Sequence, residues 1–174
     1  MFPLGDGTPP NVSRTTQLLA RWEFDWSKPG GFKMERLSEE RCEYPRIDER
    51  RTGLKYRHGY VACLGGPGSG DLFHRGLGHF DHVTRKMAIY AAGARCAVAE
   101  PVFVPRRADA REGDGYLLTN IFDEERNASH LAIFDAGQIE RGPIARAYLD
   151  HRVPVGFHGY WRAGGRHFSY PANQ

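Results

Sequence analysis

The feature that most constrains this chain is its hydrophobic period, which is two and not 3.6. Leu18 to Phe24 (LLARWEF) alternates in its second half, and Phe32 to Leu37 (FKMERL) follows a Lys28-Pro29-Gly30-Gly31 turn. That pair predicts a β-hairpin. Further strands are predicted over His58 to Leu64, His79 to Asp81, Lys86 to Ala91, Pro101 to Pro105, Tyr116 to Phe122, His130 to Asp135, Ile144 to Leu149 and Gly156 to Arg162. Turn clusters separate them at Gly65 to Gly70, Ala108 to Gly115, Glu124 to Asn127 and Ala163 to Gly165. No stretch of ten or more residues carries a helical stripe, and 21 Gly with 11 Pro suit many tight connections. Such a pattern implies an all-β sandwich, barrel or propeller.

One spacing favours the propeller. Glu43, Glu100 and His158 lie 57 and 58 residues apart. Blades are four-stranded units of roughly 40 to 50 residues before loop insertions. Three polar residues one blade apart would take equivalent places, pointing at a common axis if that place is the innermost strand. Coincidence among many acids and histidines remains the competing explanation.

Several function classes are disfavoured. The net charge is +3, with Arg mixed among Asp and Glu and only pairs such as Arg50-Arg51 and Arg106-Arg107. A nucleic-acid binder shows a basic stripe or block, so no nucleic-acid partner is expected. The Gly65-Gly66-Pro67-Gly68-Ser69-Gly70 run lacks the Lys and Ser/Thr of a phosphate loop and is followed by Asp71. Cys42, Cys63 and Cys96 form no CxxC pair, so three free thiols in a reducing compartment are expected. No signal peptide or transmembrane stretch stands out, which gives a cytoplasmic expectation.

Among the eight histidines, His58, His74, His130, His151 and His167 sit beside charged or turn residues and are expected on the surface. His79 and His82 fall in a strand–turn–strand segment. His158 differs, because it lies between Phe157 and Gly159 in an apolar run (VPVGFHGYW) near the end of the chain. An imidazole there must be satisfied, either by a backbone carbonyl or by a metal.

Pro154-Val155-Gly156-Phe157-His158-Gly159-Tyr160-Trp161 resembles the final signature of the carotenoid cleavage oxygenases. That family includes apocarotenoid and lignostilbene dioxygenases and the retinoid isomerase of the pigment epithelium. Glu43-Tyr44-Pro45-Arg46-Ile47-Asp48 resembles its Glu-Phe-Pro-Arg-Ile-Asp block, and Ala99 to Arg106 (AEPVFVPR) resembles its Gly-Glu-Pro-x-Phe-Val-Pro-Arg block. The three blocks fall in the family's order.

The resemblance implies a seven-bladed β-propeller of which this chain holds about three C-terminal blades. Residues 1–17 form a loose lead-in and 18–174 the blades. It implies an Fe(II) site of four histidines, to which this chain contributes His158 as metal ligand. Glu43 and Glu100 would each accept the second ring N–H of a ligating histidine. The implied reaction is oxidative cleavage of a C=C bond in a carotenoid, apocarotenoid or stilbene, with O2 as partner and two carbonyl products. The first three histidines of the family lie upstream of this segment, so the isolated chain is expected to be inactive. The alternatives are a non-catalytic propeller remnant that acts as an interaction module, and an isomerase-type member.

Overall fold

The computed structural model describes residues 17–64 and 73–164. The lead-in up to residue 16, the Gly65 to Gly70 turn and His167 lie outside the described residues. Ten strands follow one another: β1 (Leu18–Phe24), β2 (Phe32–Ile47), β3 (His58–Leu64), β4 (His74–Asp81), β5 (Lys86–Ala91), β6 (Cys96–Val98), β7 (Val102–Pro105), β8 (Gly115–Asp123), β9 (Ala128–Asp135) and β10 (Ala145–Tyr148). The only helical elements among the described residues are two short 3-10 turns, Glu49–Arg51 and Ile139–Arg141.

The first sheet is a sequential meander, β1-β2-β3-β4-β5. β2 is long enough to serve two pairings: it meets β1 up to Arg41 and β3 from Cys42 onward. The second sheet runs β10-β9-β8-β6, with β7 also paired to β8. β6 sits against Ile121–Asp123 and β7 against Gly115–Leu118, so the two lie end to end along one side of β8. All pairings are antiparallel, as short connections require.

Period two shows directly in burial. Gly115, Leu117, Thr119 and Ile121 of β8 point inward while the residues between them are half-exposed. The main core lies between the sheets: Tyr60 and Leu77 from the first meet Val98, Phe103, Leu117, Ile121 and Phe134 from the second. Each such side chain contributes about 1.5–3 kcal/mol by leaving water. Polar clamps cross the same seam. Arg50 Nη1 donates to Ala108 O at 2.7 Å, and Glu112 Oε1 accepts the backbone N–H groups of Arg57 and His58 at 2.5 and 3.0 Å.

Several expectations need correction, and the strand predicted from His79 begins at His74. The strand predicted over Phe32 to Leu37 continues to Ile47. β6 was not foreseen, because three residues cannot display a period. Gly156 to Arg162 forms no strand: the segment has no ladder partner among the described residues, and Val155, Phe157, Tyr160 and Trp161 are exposed. His74 and His130, expected on the surface, are buried, and His58 is half-buried.

Candidate functional site

The two glutamates both sit where a ladder is interrupted. In β2, Glu43 pairs with Ala62 and the next partner pair is Arg46 with Tyr60, so Tyr44 and Pro45 oppose Val61 alone. This is a bulge, and Tyr44 takes a left-handed φ of 53° there. Glu100 occupies the gap between β6 and β7, followed by Pro101, which has no N–H to give to a ladder. Flanking bonds hold the gap: Ala99 N donates to Asn120 O at 2.9 Å and Thr119 Oγ1 to Ala99 O at 2.8 Å. His158 belongs to the irregular segment that crosses over them. The three residues are therefore brought to one cavity by two interrupted strands and a crossing segment, not by three equivalent inner strands.

Glu100 is the anchor. Its side chain is 5% exposed, whereas that of His158 is 72% exposed. Glu100 Oε1 lies 3.0 Å from His158 Nδ1, and Oε2 accepts from Gly159 N and Arg46 Nη1, both at 2.8 Å. Arg46 Nη1 also reaches Gly159 O at 2.8 Å, and its other arm pairs with Glu49. Burial alone pushes the Glu100 carboxyl up. The Gly159 N–H, His158 and Arg46 outweigh it and hold the group below its ordinary value, so it is ionised at neutral pH.

A carboxylate can only accept, so His158 presents a proton on Nδ1 to Glu100; its neutral tautomer then has the lone pair on Nε2. No other described residue occupies that nitrogen. This is the arrangement of a metal-binding imidazole backed by a carboxylate, and His158 fits a divalent iron ligand on that ground. One histidine does not make a site: among the described residues, no group of three His, Cys, Asp or Glu side chains converges to hold a metal ion.

Glu43 makes a second pair with the opposite burial. Its side chain is 40% exposed, while that of His74 is 10% exposed. Gln17 Nε2 donates to Glu43 Oε1 at 2.6 Å, and His74 Nε2 stands 3.5 Å from Glu43 Oε2. The Tyr44 ring links the two pairs, with centroids 5.1 Å from His74, 6.0 Å from His158 and 6.5 Å from Phe157. Burial, then the Glu43 and Glu100 charges, raise the Tyr44 hydroxyl, so it stays protonated. Glu43, Tyr44, His74, Glu100, Phe157 and His158 line one cavity of about 440 Å3. His74, Arg46, Tyr44 and Gln17 received no site role from the sequence. Arg46 and Tyr44 lay inside a block that was noticed, whereas Gln17 gave no signal.

The comparisons with known proteins bear on the family and the fold. A family model described as retinal pigment epithelial membrane protein matches residues 5–163. The chain belongs to this family. It is 36% identical to lignostilbene-α,β-dioxygenase isozyme III of Sphingomonas paucimobilis over 92% of this chain and 35% of that protein. It superposes on the crystal structure of lignostilbene dioxygenase from Pseudomonas brassicacearum with a TM-score of 0.83 and 30% identity, covering 92% of this chain and 35% of the other. A cobalt-substituted apocarotenoid oxygenase from Synechocystis matches with a TM-score of 0.76 and 26% identity, covering 83% and 30%. The chain spans about a third of the length of the curated relatives it matches. The fold is thus all-β and propeller-like. No helix among the described residues is long and apolar enough to cross a membrane.

Proposed function

We propose that this chain supplies one ligand and its carboxylate support to the Fe(II) site of an oxygenase that cleaves a C=C bond, and that it does not form that site alone. The observation that carries the reading is the Glu100–His158 contact, 3.0 Å to Nδ1, in a chain whose relatives are lignostilbene dioxygenases. His158 would hold the metal through Nε2. Glu100, fixed by Arg46 and Gly159 N, sets the tautomer and angle of the imidazole. Glu43 would hold the ring N–H of a second ligating histidine contributed from outside the described residues. Bound Fe(II) supplies open coordination positions and the electrons that let O2 react with the double bond. The exposed apolar side chains of Phe157 and Trp161 give an apolar polyene or stilbene a surface beside that metal.

A second reading has an observation of its own. The described residues converge on no three-ligand cluster, and Trp22, Phe24, Trp26, Phe32 and Met34 stand exposed on the β1–β2 hairpin. On that reading the chain is a non-catalytic propeller module that associates through its exposed apolar faces. Isomerase-type chemistry has no separate support.

The test grafts this chain in place of its counterpart in the Sphingomonas lignostilbene dioxygenase. The reading expects a chimera that binds iron and splits a 4-hydroxystilbene into two aldehydes, and a His158→Ala chimera that loses both. A folded, iron-loaded chimera without cleavage, or activity that survives His158→Ala, favours the module.

A further inference from the structure

The Glu43 side of the cavity contains a buried group to which the iron reading gives no task. His74 is 8% exposed, lines the cavity, and its Nε2 makes no hydrogen bond of normal geometry. We propose that His74 is a positioning residue: it presents an Nε2–H to Glu43 Oε2 and, with Gln17 on Oε1, fixes that carboxylate on the cavity wall.

Three observations carry the assignment. First, Glu43 Oε2 is the group His74 Nε2 faces, at 3.5 Å, while Gln17 Nε2 already holds Oε1 at 2.6 Å. A carboxylate only accepts. The contact is attractive only with the imidazole proton on Nε2; the other tautomer would set lone pair against lone pair. Second, the 3.5 Å separation is at the outer limit of a hydrogen bond, but the terminal torsion of a glutamate is soft, so a small rotation closes it. Third, the imidazole is held in place, since the Tyr44 ring packs on it at 5.1 Å from the bulge that also carries Glu43. Burial lowers His74 from its ordinary value, partly offset by Glu43, so at neutral pH it is uncharged with a single N–H to give.

A carboxylate has about four lone-pair sites, and Gln17 with His74 occupy two. Glu43 lines the cavity, where the remaining ones can accept from a further donor. The functional meaning rests on the reading above that Glu43 receives the ring N–H of a metal-binding histidine: His74 then lets the carboxylate meet that ring already oriented.

The experiment uses the metal-free 174-residue chain, with its histidine and glutamine side chains labelled with 15N. The expected result is an Nε2-protonated His74 whose ring proton exchanges slowly, and whose exchange quickens by on the order of tenfold in Glu43→Gln, as losing a charge-assisted bond implies. In His74→Phe the Gln17 side-chain amide exchanges faster; in His74→Gln, which restores a donor, it returns toward the wild-type rate. A mere packing role would not produce that rescue. An Nδ1-protonated His74, or a ring proton indifferent to Glu43→Gln, overturns the proposal. If His74→Phe loses the β8 and β9 backbone dispersion, the Glu43→Gln exchange rate alone decides. No metal enters this test, so its failure leaves the iron reading standing, and failure of the chimera leaves this contact standing.

Discussion

The two acid–histidine pairs of the cavity are mirror images. In one, a buried Glu100 presents an exposed His158; in the other, a buried His74 backs a half-exposed Glu43. The difference tells which group is support and which is free to meet a partner. Glu100 is buried and has donors on both oxygens, His158 on Oε1 and Gly159 N with Arg46 on Oε2. Its role is to hold. Glu43 keeps lone pairs open to the cavity, so on the proposed function it is the group that waits for a histidine. Both glutamates depend on a broken ladder and a nearby proline, Pro45 or Pro101, to leave the plane of their sheets.

The largest effect expected from this contrast is on stability. Glu100→Ala removes the buried carboxylate that Arg46, Gly159 N and His158 share; Arg46 keeps Glu49 and Gly159 O, so the cost should be about 2 kcal/mol. Glu43→Ala removes a carboxylate that water already reaches and should cost less than about 1 kcal/mol. Urea midpoints at neutral pH measure both. Equal costs would remove the distinction between a supporting and a waiting glutamate.

Acid sensitivity separates the pairs by window. The folded-state value of His74 lies below its ordinary 6.5 because of burial. As the pH falls below about 6.5 the unfolded chain takes up a proton that the folded chain refuses, and stability declines. Glu100 acts lower: its folded value lies under the ordinary 4.5, so its contribution is complete above that pH and lost as the pH falls through the folded value. His74→Phe should therefore flatten the upper part of the acid limb and Glu100→Gln the lower part, each by less than the loss from deleting Glu100. The flattening by His74→Phe is partial. Burial also lowers His58, His82 and His130, and with the His58 charge it lowers His79 to about 4. Denaturation midpoints across the acid range check the two windows. A Glu100→Gln effect confined to the upper window would contradict the assignment.

Much of this arrangement is legible in the chain because alternation reports burial wherever one face of a strand is covered. β8 and β9 show that alternation, whereas β1, β3 and β5 match their predicted limits without it, bounded by the turns that flank them. The same logic failed at His158. An apolar run of the right length looks like a strand, yet a strand needs a ladder partner, and Pro154, Gly156 and Gly159 accompany a segment that finds none among the described residues. His74 was misjudged for a different reason. The β3–β4 register shifts between Cys63 and Leu64, so His74 is out of step with the alternation of the rest of β4, and an irregularity of pairing leaves no mark on a hydrophobic period. Glu43, Glu100 and His158 could be named from blocks of sequence. Their partners Gln17, Arg46 and His74 could not, because a hydrogen bond across 26, 54 or 31 residues leaves no local pattern.

The smallest expected effect bears on the same contrast at Gln17. Its backbone carbonyl accepts from Cys42 N at 2.8 Å and survives substitution by alanine, so the start of β1 keeps its register. Only the side-chain amide on Glu43 Oε1 is lost. Because Glu43 is reached by water, solvent replaces that donor, and Gln17→Ala should cost no more than about 1 kcal/mol in urea unfolding. Arg46→Met offers the matched deletion on the other pair: it removes a donor from a carboxylate that water barely reaches, and should cost clearly more. If Gln17→Ala were the costlier of the two, Glu43 would be as deeply committed to the fold as Glu100, and it could not be the carboxylate left open for a second histidine.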